Sequence, residues 1–528
     1  MKKKVLFISH DATRTGAPII FLHLLQWLRR NTSITFDILL KDGGPLEEEF
    51  RALGSTNLLN WNNNAFDPAL KEKFLRNLAK EDFGLIYSNT IVNGQILQLL
   101  AGADCPIISH IHELEYRISH QTKPEIIAGV TACTDHYIAA SQAVKQNLVD
   151  NLDIPEGRIE VIYEFLPTET REPDPLICEN IRKSLGIPSN SLIVGACGTS
   201  DWRKGPDLFI QLAALLHHHY GNAVHFCWLG AQVEAPEFSA LEYDVKKANL
   251  DRYVHFIGPQ QNTQDYFSLF DVFVSVSRED PFPLVNLEAA TFGVPIVCFD
   301  NSGGAKEFVE HDCGCVVDYL NLPAMSARVM ALLDDSDLRS RMGNQARNRV
   351  RQNHEVSVVA PKIMTLMETV ISGWSSAARK ARLRRVPAGD FTGNQLHDLF
   401  NILSDPLLST ERCAASYQQV GTKLQETGFF TNLYNLASWL DLKGEKFRAL
   451  ELYSAISHFA ASANPELAGK AFYKTGCLAD DKIDAIQSFR HCLEIYPAHK
   501  AARQRLHALV EDGGSNPSDE ADWIGGLS

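Results

Sequence analysis

Short apolar runs alternate with amphipathic stretches along the first part of the chain. The run Lys4–Ser9 is rich in β-forming residues, and a helical pattern of leucines follows it after Pro18. Strands that are apolar on both faces and alternate with helices are typical of a parallel sheet covered by helices. Further runs of this kind lie at residues 34–40, 83–89, 106–112, 136–141 and at the start of 158–175. The pattern predicts a doubly wound α/β domain.

A second series of strand and helix patterns begins after the Pro-rich end of residues 158–175. Its apolar runs lie at residues 192–200, 224–230, 254–259, 271–277, 295–300 and 314–318. Parallel α/β sheets bind ligands at the carboxyl ends of their strands, and pockets occur preferentially between domains. The fold class predicted from both series is therefore α/β, with two Rossmann-like doubly wound domains facing a cleft.

The pattern becomes wholly helical toward the C-terminus. Two stretches, residues 433–456 and 471–497, place small and aromatic residues alike at a spacing of 36. The corresponding positions are Ala449, Tyr453 and Ile456 in the first stretch and Ala485, Phe489 and Cys492 in the second. Small residues at such positions let paired helices approach closely, as in tetratricopeptide repeats. A tetratricopeptide-like domain and a plain helical bundle are both compatible with this pattern.

Composition and charge narrow the functional classes. The 528 residues are 45% hydrophobic and carry a net charge of −14, which fits a soluble protein and disfavours binding to nucleic acid. The 11 cysteines form no paired motif, and the N-terminal apolar run is too short for a signal peptide. The sequence also contains no apolar run of membrane-spanning length. A cytoplasmic location is predicted.

Two glycine-containing loops follow strands and precede helices. Gly16 lies in the loop TRTGAP, where backbone N–H groups and a helix N-terminus can approach an anion. In the second domain Arg203 and Lys204 precede Gly205 at a strand-to-helix loop. Two adjacent cations facing a cleft suit a diphosphate, although two solvated surface charges would give the same pattern. No G-x-G-x-x-G motif is present, which disfavours a dehydrogenase.

The stretch DPFPLVNLEAATFGVPIV, which contains Asp280 and Glu288 with seven residues between them, carries the most specific signal. Together with the RKG loop and with Gly303, Gly304 and Glu307, it resembles the donor half of family 4 retaining glycosyltransferases of the GT-B fold. In that family two glutamates with seven residues between them precede an alanine-rich helix. The resemblance extends over roughly residues 1–370 and is strongest in 190–320.

The resemblance implies a role for each part of this stretch. Asp280 would hold hydroxyls of the donor sugar, and Glu288 would accept hydrogen bonds from the ribose. The N–H groups of Leu284 and Val285 would face the diphosphate at a helix N-terminus. The alternative is an acidic helix cap with Glu288 in an exposed helix. Asp280 stands in place of the usual glutamate and Pro283 in place of a usual glycine, which leaves the donor open.

A histidine motif, SHIHELEY, lies at the end of a strand of the first domain. In the family a histidine at this place lies near the reacting sugar, and His112 matches it best, with His110 two residues earlier on the same strand face. H-x-H-E also suggests a metal site, but a third ligand in register is lacking. A structural histidine is the remaining alternative.

The resemblance assigns roles to the first two domains, while the Pro-rich connector and the loss of strand patterns after about residue 375 predict how the chain is divided. Residues 1–168 form the N-terminal Rossmann-like acceptor domain and residues 169–375 the Rossmann-like nucleotide-sugar donor domain. Residues 376–394 form a linker, 395–512 the helical tetratricopeptide-like domain, and 513–528 a disordered tail. The linker contains a basic cluster, which is either solvated or in contact with anionic lipid headgroups at the inner face of the membrane. This cluster comprises Arg379, Lys380, Arg382, Arg384 and Arg385.

The function expected on this basis is retaining transfer of a sugar from a nucleotide-diphosphate sugar to a glycan, lipid-linked or protein acceptor. No metal and no other cofactor is expected, because Arg203 and Lys204 would neutralise the leaving diphosphate. The acceptor would dock near Gly16 and residues 87–94, and the helical domain would bind a partner protein or a second copy. A degenerate scaffold and a sugar-nucleotide epimerase remain as alternatives. Lys204→Ala is expected to weaken donor binding with little change in melting temperature.

Overall fold

The computed structural model describes residues 3–63, 67–168, 173–236, 238–385, 434, 437–438, 441, 446–459, 465–497 and 499–511. These residues fall into two compact units. The first unit is drawn from Met1–Asn93, Ala103–Tyr116 and Thr134–Trp374. The second is drawn from Gly94–Gly102, Arg117–Cys133 and Ser375–Ser528.

The first unit contains two sheets, and the N-terminal one has seven strands. Its strand order is β3-β2-β1-β4-β5-β6-β7, and every neighbouring pair is parallel. The strands are β1 (Lys4–Ser9), β2 (Phe36–Leu40), β3 (Ser55–Leu58), β4 (Phe83–Asn89), β5 (Ile107–Ile111), β6 (His136–Ala139) and β7 (Ile159–Val161). Strands β1, β2, β4 and β5 are almost wholly buried, as their apolar sequences require.

The second sheet has six parallel strands in the order β10-β9-β8-β11-β12-β13. The strands are β8 (Leu192–Cys197), β9 (Val224–Leu229), β10 (Val254–Ile257), β11 (Val272–Ser275), β12 (Ile296–Phe299) and β13 (Gly314–Val317). The two doubly wound sheets confirm the predicted fold class. The edge strand β3 was not predicted, because its residues, STNL, lack an apolar run.

Helices occupy most of the remaining described residues up to 385. They are α1 (Gly16–Asn31), α2 (Glu47–Leu53), α3 (Pro68–Leu78), α4 (Gly94–Leu100), α5 (Pro124–Cys133), α6 (Gln142–Leu152), α7 (Pro175–Ser184), α8 (Pro206–Tyr220), α9 (Phe238–Lys247), α10 (Thr263–Phe267), α11 (Leu284–Thr291), α12 (Ala305–Val309), α13 (Leu322–Asp334), α14 (Ser336–Arg349), α15 (Val356–Ser372) and α16 (Ser376–Arg385). Short 3-10 or π turns lie at Ile91–Asn93, Arg117–Gln121, Glu156–Arg158, Gly221–Ala223 and Val350–His354.

The chain crosses between the two sheets of the first unit twice. The crossing segment, residues 162–166, leads out of β7, and Leu166 pairs with Glu355 just before α15. Helix α15 then returns to the first sheet, where Val359, Ile363 and Met367 are buried in its hydrophobic core. These residues lie four apart, so they form one face of the helix. The C-terminal end of the second domain thereby completes the core of the first.

The second unit contains α16, where the sequence predicted the start of a linker. Arg382 is fully buried and donates to the carbonyl of Ala101, and Arg379 donates to the carbonyl of Gly102. Arg385 donates to the carbonyl of Ala132 near the end of α5. Guanidinium groups at helix C-termini satisfy carbonyls that the helix leaves unpaired. Three members of the basic cluster therefore bind protein backbone, contrary to the solvated interpretation.

The described helices near the C-terminus pack on one another in sequence order. They are α17 (Lys446–Phe459), α18 (Pro465–Leu478), α19 (Lys482–Ile495) and α20 (Lys500–Glu511). All six small or aromatic positions named for the repeat are buried: Ala449, Tyr453, Ile456, Ala485, Phe489 and Cys492. A helical domain is confirmed, and its tetratricopeptide-like character stays a prediction. Residues 386–433 and the predicted disordered tail lie outside the described residues.

No single helix of the described chain is long and apolar enough to cross a membrane. The consecutive helices α15 and α16 reach that length and hydropathy only when they are counted together.

Candidate functional site

The turn between β11 and α11, residues 276–283, contains the first predicted site carboxylate. Asp280 forms an isolated parallel bridge with Gly303, and its N–H donates to the carbonyl of Ser302 at 2.7 Å. Gly303 has a φ of +118°, and a Cβ there would lie 2.0 Å from the carbonyl oxygen of Asp280. Only glycine permits so close an approach of the two backbones. The glycines of the GGxxE segment therefore hold Asp280 in place.

The RKG loop lies directly against this turn. The Nζ of Lys204 bonds to the Oδ2 of Asp280, and their side chains are only 16% and 7% exposed. Arg203 donates from its guanidinium to the carbonyl of Glu279 at 2.9 Å. Asp201 accepts from the backbone N–H of both cations, which shapes the loop. The structure thus brings Arg203 and Lys204 to the turn that contains Asp280, although Lys204 and Asp280 lie 76 positions apart in the sequence.

Helix α11 follows the turn with a bare N-terminus, meaning one that no side chain caps. Its N-cap residue is Pro283, which makes no side-chain cap hydrogen bond, and no acidic residue lies in its first turn. The acidic-cap alternative for Asp280 is therefore wrong. The first N–H groups of a helix have no partner within it, so those of Leu284 and Val285 can receive an anion.

Glu288 lies one turn further along α11. Most residues of α11 are buried and Glu288 itself is only partly exposed, so the alternative that Glu288 lies in an exposed helix is wrong. The protein packed around the carboxyl removes most of its water, and this burial raises the pKa of Glu288 to about 7. The neighbouring thiol of Cys197 lies at the end of β8. Glu288 is therefore poised to change its charge when hydrogen-bond donors reach it.

Gly16 lies opposite the same helix end. It begins α1, and a Cβ built on it would lie 3.7 Å from Cδ1 of Leu284, which is an ordinary contact distance. The loop of the first domain and the start of α11 in the second domain therefore face each other within the first unit. The structure thus places Gly16 beside Leu284, another of the predicted site residues.

His112 lies at the end of β5 with both ring nitrogens occupied. Its Nδ1 lies 2.6 Å from Oε1 of Glu164 in the crossing segment, and its Nε2 lies 2.8 Å from Oδ1 of Asn89 at the end of β4. The backbone N–H of His112 donates to Glu113 at 3.0 Å. A hydrogen bond from a ring nitrogen of His112 to a ligand would therefore require one of these hydrogen bonds to break.

The prediction that the H-x-H-E motif lacks a third metal ligand is wrong. The structure supplies a third group, because donor atoms of His110, His112 and Glu164 all lie within 4.8 Å of one another. Hydrogen bonds to Glu164 and Asn89 already use both ring nitrogens of His112, and His110 bonds to the hydroxyl of Tyr87 at 2.8 Å. These hydrogen bonds fit an ion pair between His112 and Glu164 beside a neutral His110.

Several cross-domain contacts could not be inferred from any motif. Glu307, the glutamate of the GGxxE segment, accepts from the N–H groups of Gln142 and Ala143 at 2.9 and 3.0 Å. It thereby caps α6 of the other sheet at the helix end that favours negative charge. Glu279 accepts from the N–H of Tyr116 at 2.8 Å. The two domains of the first unit are therefore held together at the site by carboxylates.

Two parallel sheets define a two-domain α/β protein, and two cations and a bare helix end lie together where an anion could be received. Two family models match this part of the chain. The model for "Glycosyltransferase Family 4" matches residues 15–170, and the model for "Glycosyl transferases group 1" matches residues 178–349. The chain therefore belongs to the family 4 glycosyltransferases of the GT-B fold.

Curated relatives agree with the family. A D-inositol 3-phosphate glycosyltransferase of Corynebacterium urealyticum is 28% identical over 220 residues, which are 40% of this chain and 51% of the relative. The lipopolysaccharide core biosynthesis mannosyltransferase LpsB of Rhizobium meliloti is 28% identical over 226 residues, or 42% of this chain and 62% of that protein. The chain thus matches between half and two thirds of these relatives.

Solved structures share the fold. The Anabaena protein HepE, crystallised with UDP and glucose, aligns with a TM-score of 0.60 and 20% identity, covering 70% of this chain and all of that one. WaaG, a glycosyltransferase involved in lipopolysaccharide biosynthesis, aligns with a TM-score of 0.55 and 15% identity, covering 69% and 99% of the two chains. At these identities the likeness concerns the fold.

A methyl group at Gly16 tests whether a ligand approaches this backbone. Gly16→Ala should leave the melting temperature unchanged, because the nearest atom to the new Cβ is 3.7 Å away and alanine favours a helix. If a diphosphate lies against the N-terminus of α1, the methyl should raise the donor KM about tenfold. Steady-state kinetics with thermal denaturation would measure both, and an unchanged KM would exclude Gly16 from the donor site. Gly157→Ala, where a Cβ would meet no atom within 4 Å, is the control.

Proposed function

We propose that this protein is a retaining, metal-independent glycosyltransferase that moves a sugar from a nucleotide-diphosphate sugar to a glycan, lipid-linked or protein acceptor. The observation that carries the proposal is the grouping of Lys204, Asp280 and the bare N-terminus of α11, with Glu288 one turn along. The names of the relatives support synthesis of a cell-surface polysaccharide or another glycoconjugate as the setting.

The diphosphate would lie between the cation loop and the start of α11. A lysine ammonium has three donors, so Lys204 can keep one on Asp280 and give the others to phosphate oxygens. Arg203 has guanidinium N–H groups beyond the one that bonds to Glu279. With the N–H groups of Leu284 and Val285, these donors would stabilise the charge that develops on the leaving diphosphate. This is the work that a divalent cation does in other transferases.

The two carboxylates would bind the two ends of the donor. Asp280 would accept hydrogen bonds from sugar hydroxyls, and Glu288 would accept them from both ribose hydroxyls. Each carboxylate is acceptor-only when ionised, so each fits a pair of hydroxyl donors. Asp280 is already bonded to Lys204, and we propose no nucleophilic role for it. Retention would therefore arise by displacement on one face of the sugar, without a glycosyl-enzyme.

His112 would mark the reacting end of the site on the first domain. Both of its ring nitrogens are bonded within the protein, so its contribution would be to fix the end of β5 beside the donor sugar. The acceptor would approach from the same domain, near Gly16 and the segment after β4. The helical domain would bind a partner protein or a second copy. Two cations of the basic cluster, Lys380 and Arg384, are exposed and would contact a membrane surface.

A thermal-shift screen without added metal tests the donor part of the proposal. The ligands are UDP, GDP and ADP with their common sugar conjugates, with EDTA present throughout. A ligand that binds the folded state alone raises the transition midpoint by an amount that grows with its occupancy. One nucleotide family should stabilise the protein, and Lys204→Ala should reduce that shift. If no nucleotide shifts the midpoint of a well-folded sample, the scaffold alternative replaces the transferase.

Product analysis separates a transferase from an epimerase. The donor identified by the screen is incubated with and without a mixture of glycan acceptors, and the sugars are analysed over time. A transferase leaves the donor almost intact without acceptor and forms a new glycoside with it, with the anomeric configuration of the donor. A second sugar nucleotide formed without acceptor would establish the epimerase alternative instead, and an inverted product would exclude retention.

A further inference from the structure

The hydrogen bonds around His112 determine its protonation. Asn89 donates from Nδ2 to the carbonyl of Ala17 at 3.0 Å, which orients its amide so that Oδ1 faces Nε2 of His112. An amide oxygen can only accept, so Nε2 must carry a proton. The other nitrogen, Nδ1, faces the carboxylate of Glu164 at 2.6 Å. A ring whose two nitrogens both face acceptors is an imidazolium paired with a carboxylate.

The surroundings of His112 favour this charge. Glu164 and Glu113 are the carboxylates beside it, and the remaining titratable neighbours are His110 on β5 and Tyr87 on β4. Burial lowers the pKa of His112, but the charge and hydrogen bond of Glu164, with Glu113, outweigh burial and leave that pKa raised. Burial and the charge of His112 hold the pKa of His110 well below its ordinary value. These shifts favour a charged ring at His112 beside a neutral ring at His110.

Glu164 also connects His112 to the second domain. Its backbone carbonyl accepts from Nδ1 of His354 at 2.8 Å, just before α15. The ring of His354 stacks on Phe282, with centroids 5.3 Å apart and planes at 27°, and Phe282 lies two residues after Asp280. The side chain of Glu164 is 3% exposed, so its ion pair with His112 is buried and weakly screened. One residue of the crossing segment thus contacts both sides of the site.

We propose that Glu164 is a positioning residue of the transfer reaction, which holds His112 as an imidazolium and fixes it to the crossing segment. Only the kinetic consequence of this inference rests on the proposed function. The ion pair would keep the end of β5 in one orientation while the sugar is transferred. Replacing the carboxylate by an amide removes the charge and keeps the size of the side chain. His112 would then become a neutral ring with a less defined orientation.

The first measurement is the protonation of His112, which needs no activity. The full-length protein is labelled with ¹⁵N-histidine, and the signals of His112 are assigned by their loss in His112→Gln. At pH 7.5 both nitrogens should show imidazolium shifts in the wild type and in Glu164→Asp. In Glu164→Gln they should show a neutral ring. A neutral His112 in the wild type, or a divalent cation retained after dialysis and found by elemental analysis, would overturn the ion pair.

The second measurement asks whether Glu164 acts through His112. At saturating donor, Glu164→Gln should lower kcat about 10- to 100-fold with little change in the donor KM, while Glu164→Asp recovers part of the loss. The double variant Glu164→Gln/His112→Gln should be no slower than His112→Gln alone. Independent, multiplying losses would overturn the positioning role. Glu160→Gln, an exposed change on β7, is the control. A wild type inactive with every donor would refute the proposed function and leave the ¹⁵N result standing.

Discussion

Lys204→Ala is expected to lower kcat/KM about 100- to 1000-fold, because it removes a preorganised cation from the position where, in the proposed reaction, the leaving diphosphate would gain charge. The same change should raise the Kd of the nucleoside diphosphate that the screen identifies. Arg203 and the N-terminus of α11 remain, so residual activity should be measurable. Steady-state kinetics and calorimetric titration with that nucleotide would check both expectations.

Lys204→Ala should also destabilise the protein, and this differs from the expectation drawn from sequence alone. Lys204 bonds to Asp280, whose side chain is only 7% exposed, so its loss leaves a nearly buried carboxylate without its cation. Breaking such a pair costs on the order of 3 kcal/mol of the free energy of unfolding. The melting temperature of the first unit should therefore fall. The sequence predicts that Lys204 faces a cleft, but its contact with Asp280, 76 positions away, is visible only in the structure.

A double variant separates the two roles of Lys204. Adding Asp280→Asn removes the uncompensated charge, so Lys204→Ala/Asp280→Asn should regain most of the lost stability while its activity stays low. Lys306→Ala is the matched control, because Lys306 pairs with Asp300 at the surface, with both side chains 40% exposed or more. If the double variant recovers activity together with stability, Lys204 is structural and the donor site lies elsewhere.

The sequence predicted the strands best where each was buried on both faces. Strand β1 runs from Lys4 to Ser9 and β4 from Phe83 to Asn89, as their apolar runs indicate. Strand β3, at the edge of its sheet, has one neighbour and half-buried polar residues, so its pairing with β2 depends on the fold around it. The basic composition of residues 376–385 predicts a linker, but the structure has helix α16 there. Their arginines satisfy helix carbonyls that become defined only when the chain is folded.

The site was predictable to the extent that its residues belong to local motifs. Lys204 is predicted from a strand-to-helix loop with two adjacent cations, and Asp280 and Glu288 from a stretch that resembles the family 4 glycosyltransferases. Glu164 and Asn89 were missed, since they lie 52 and 23 residues from His112 and no local pattern marks them. What brings them together is the crossing segment and the register of β4 against β5. Such contacts follow from topology, which the order of strands along the chain does not determine.

Binding of the nucleoside diphosphate is expected to weaken as the pH falls below about 7, because burial raises the pKa of Glu288 to about 7. The ribose hydroxyls would donate to the ionised carboxylate, so binding must first remove its proton. Two pH units below the pKa only about 1% of the carboxyl is ionised, and the Kd should be about 100-fold higher at pH 5 than at its plateau. In Glu288→Gln this dependence should disappear, apart from protonation of the phosphate itself.

The same shift affects stability with a defined sign. The folded pKa of Glu288 is raised above its unfolded value, so the folded state is favoured below the unfolded pKa of about 4.3 and loses that advantage as the pH rises through about 7. Without ligand, Glu288→Gln should therefore be more stable than the wild type at pH 8 and bind nucleotide more weakly. Glu242→Gln, an exposed change in α9, should alter neither property.

Calorimetric titration at pH 6 in two buffers of different ionisation enthalpy measures the proton directly. The wild type should release close to one proton more than Glu288→Gln for each nucleotide bound, because the carboxyl is mostly protonated before binding and ionised after it. Equal proton release in the two proteins would mean that the nucleotide does not contact Glu288. In that case the ribose lies elsewhere along the carboxyl ends of the second sheet. The raised pKa would then reflect burial of Glu288 beside Cys197 without a role in donor binding.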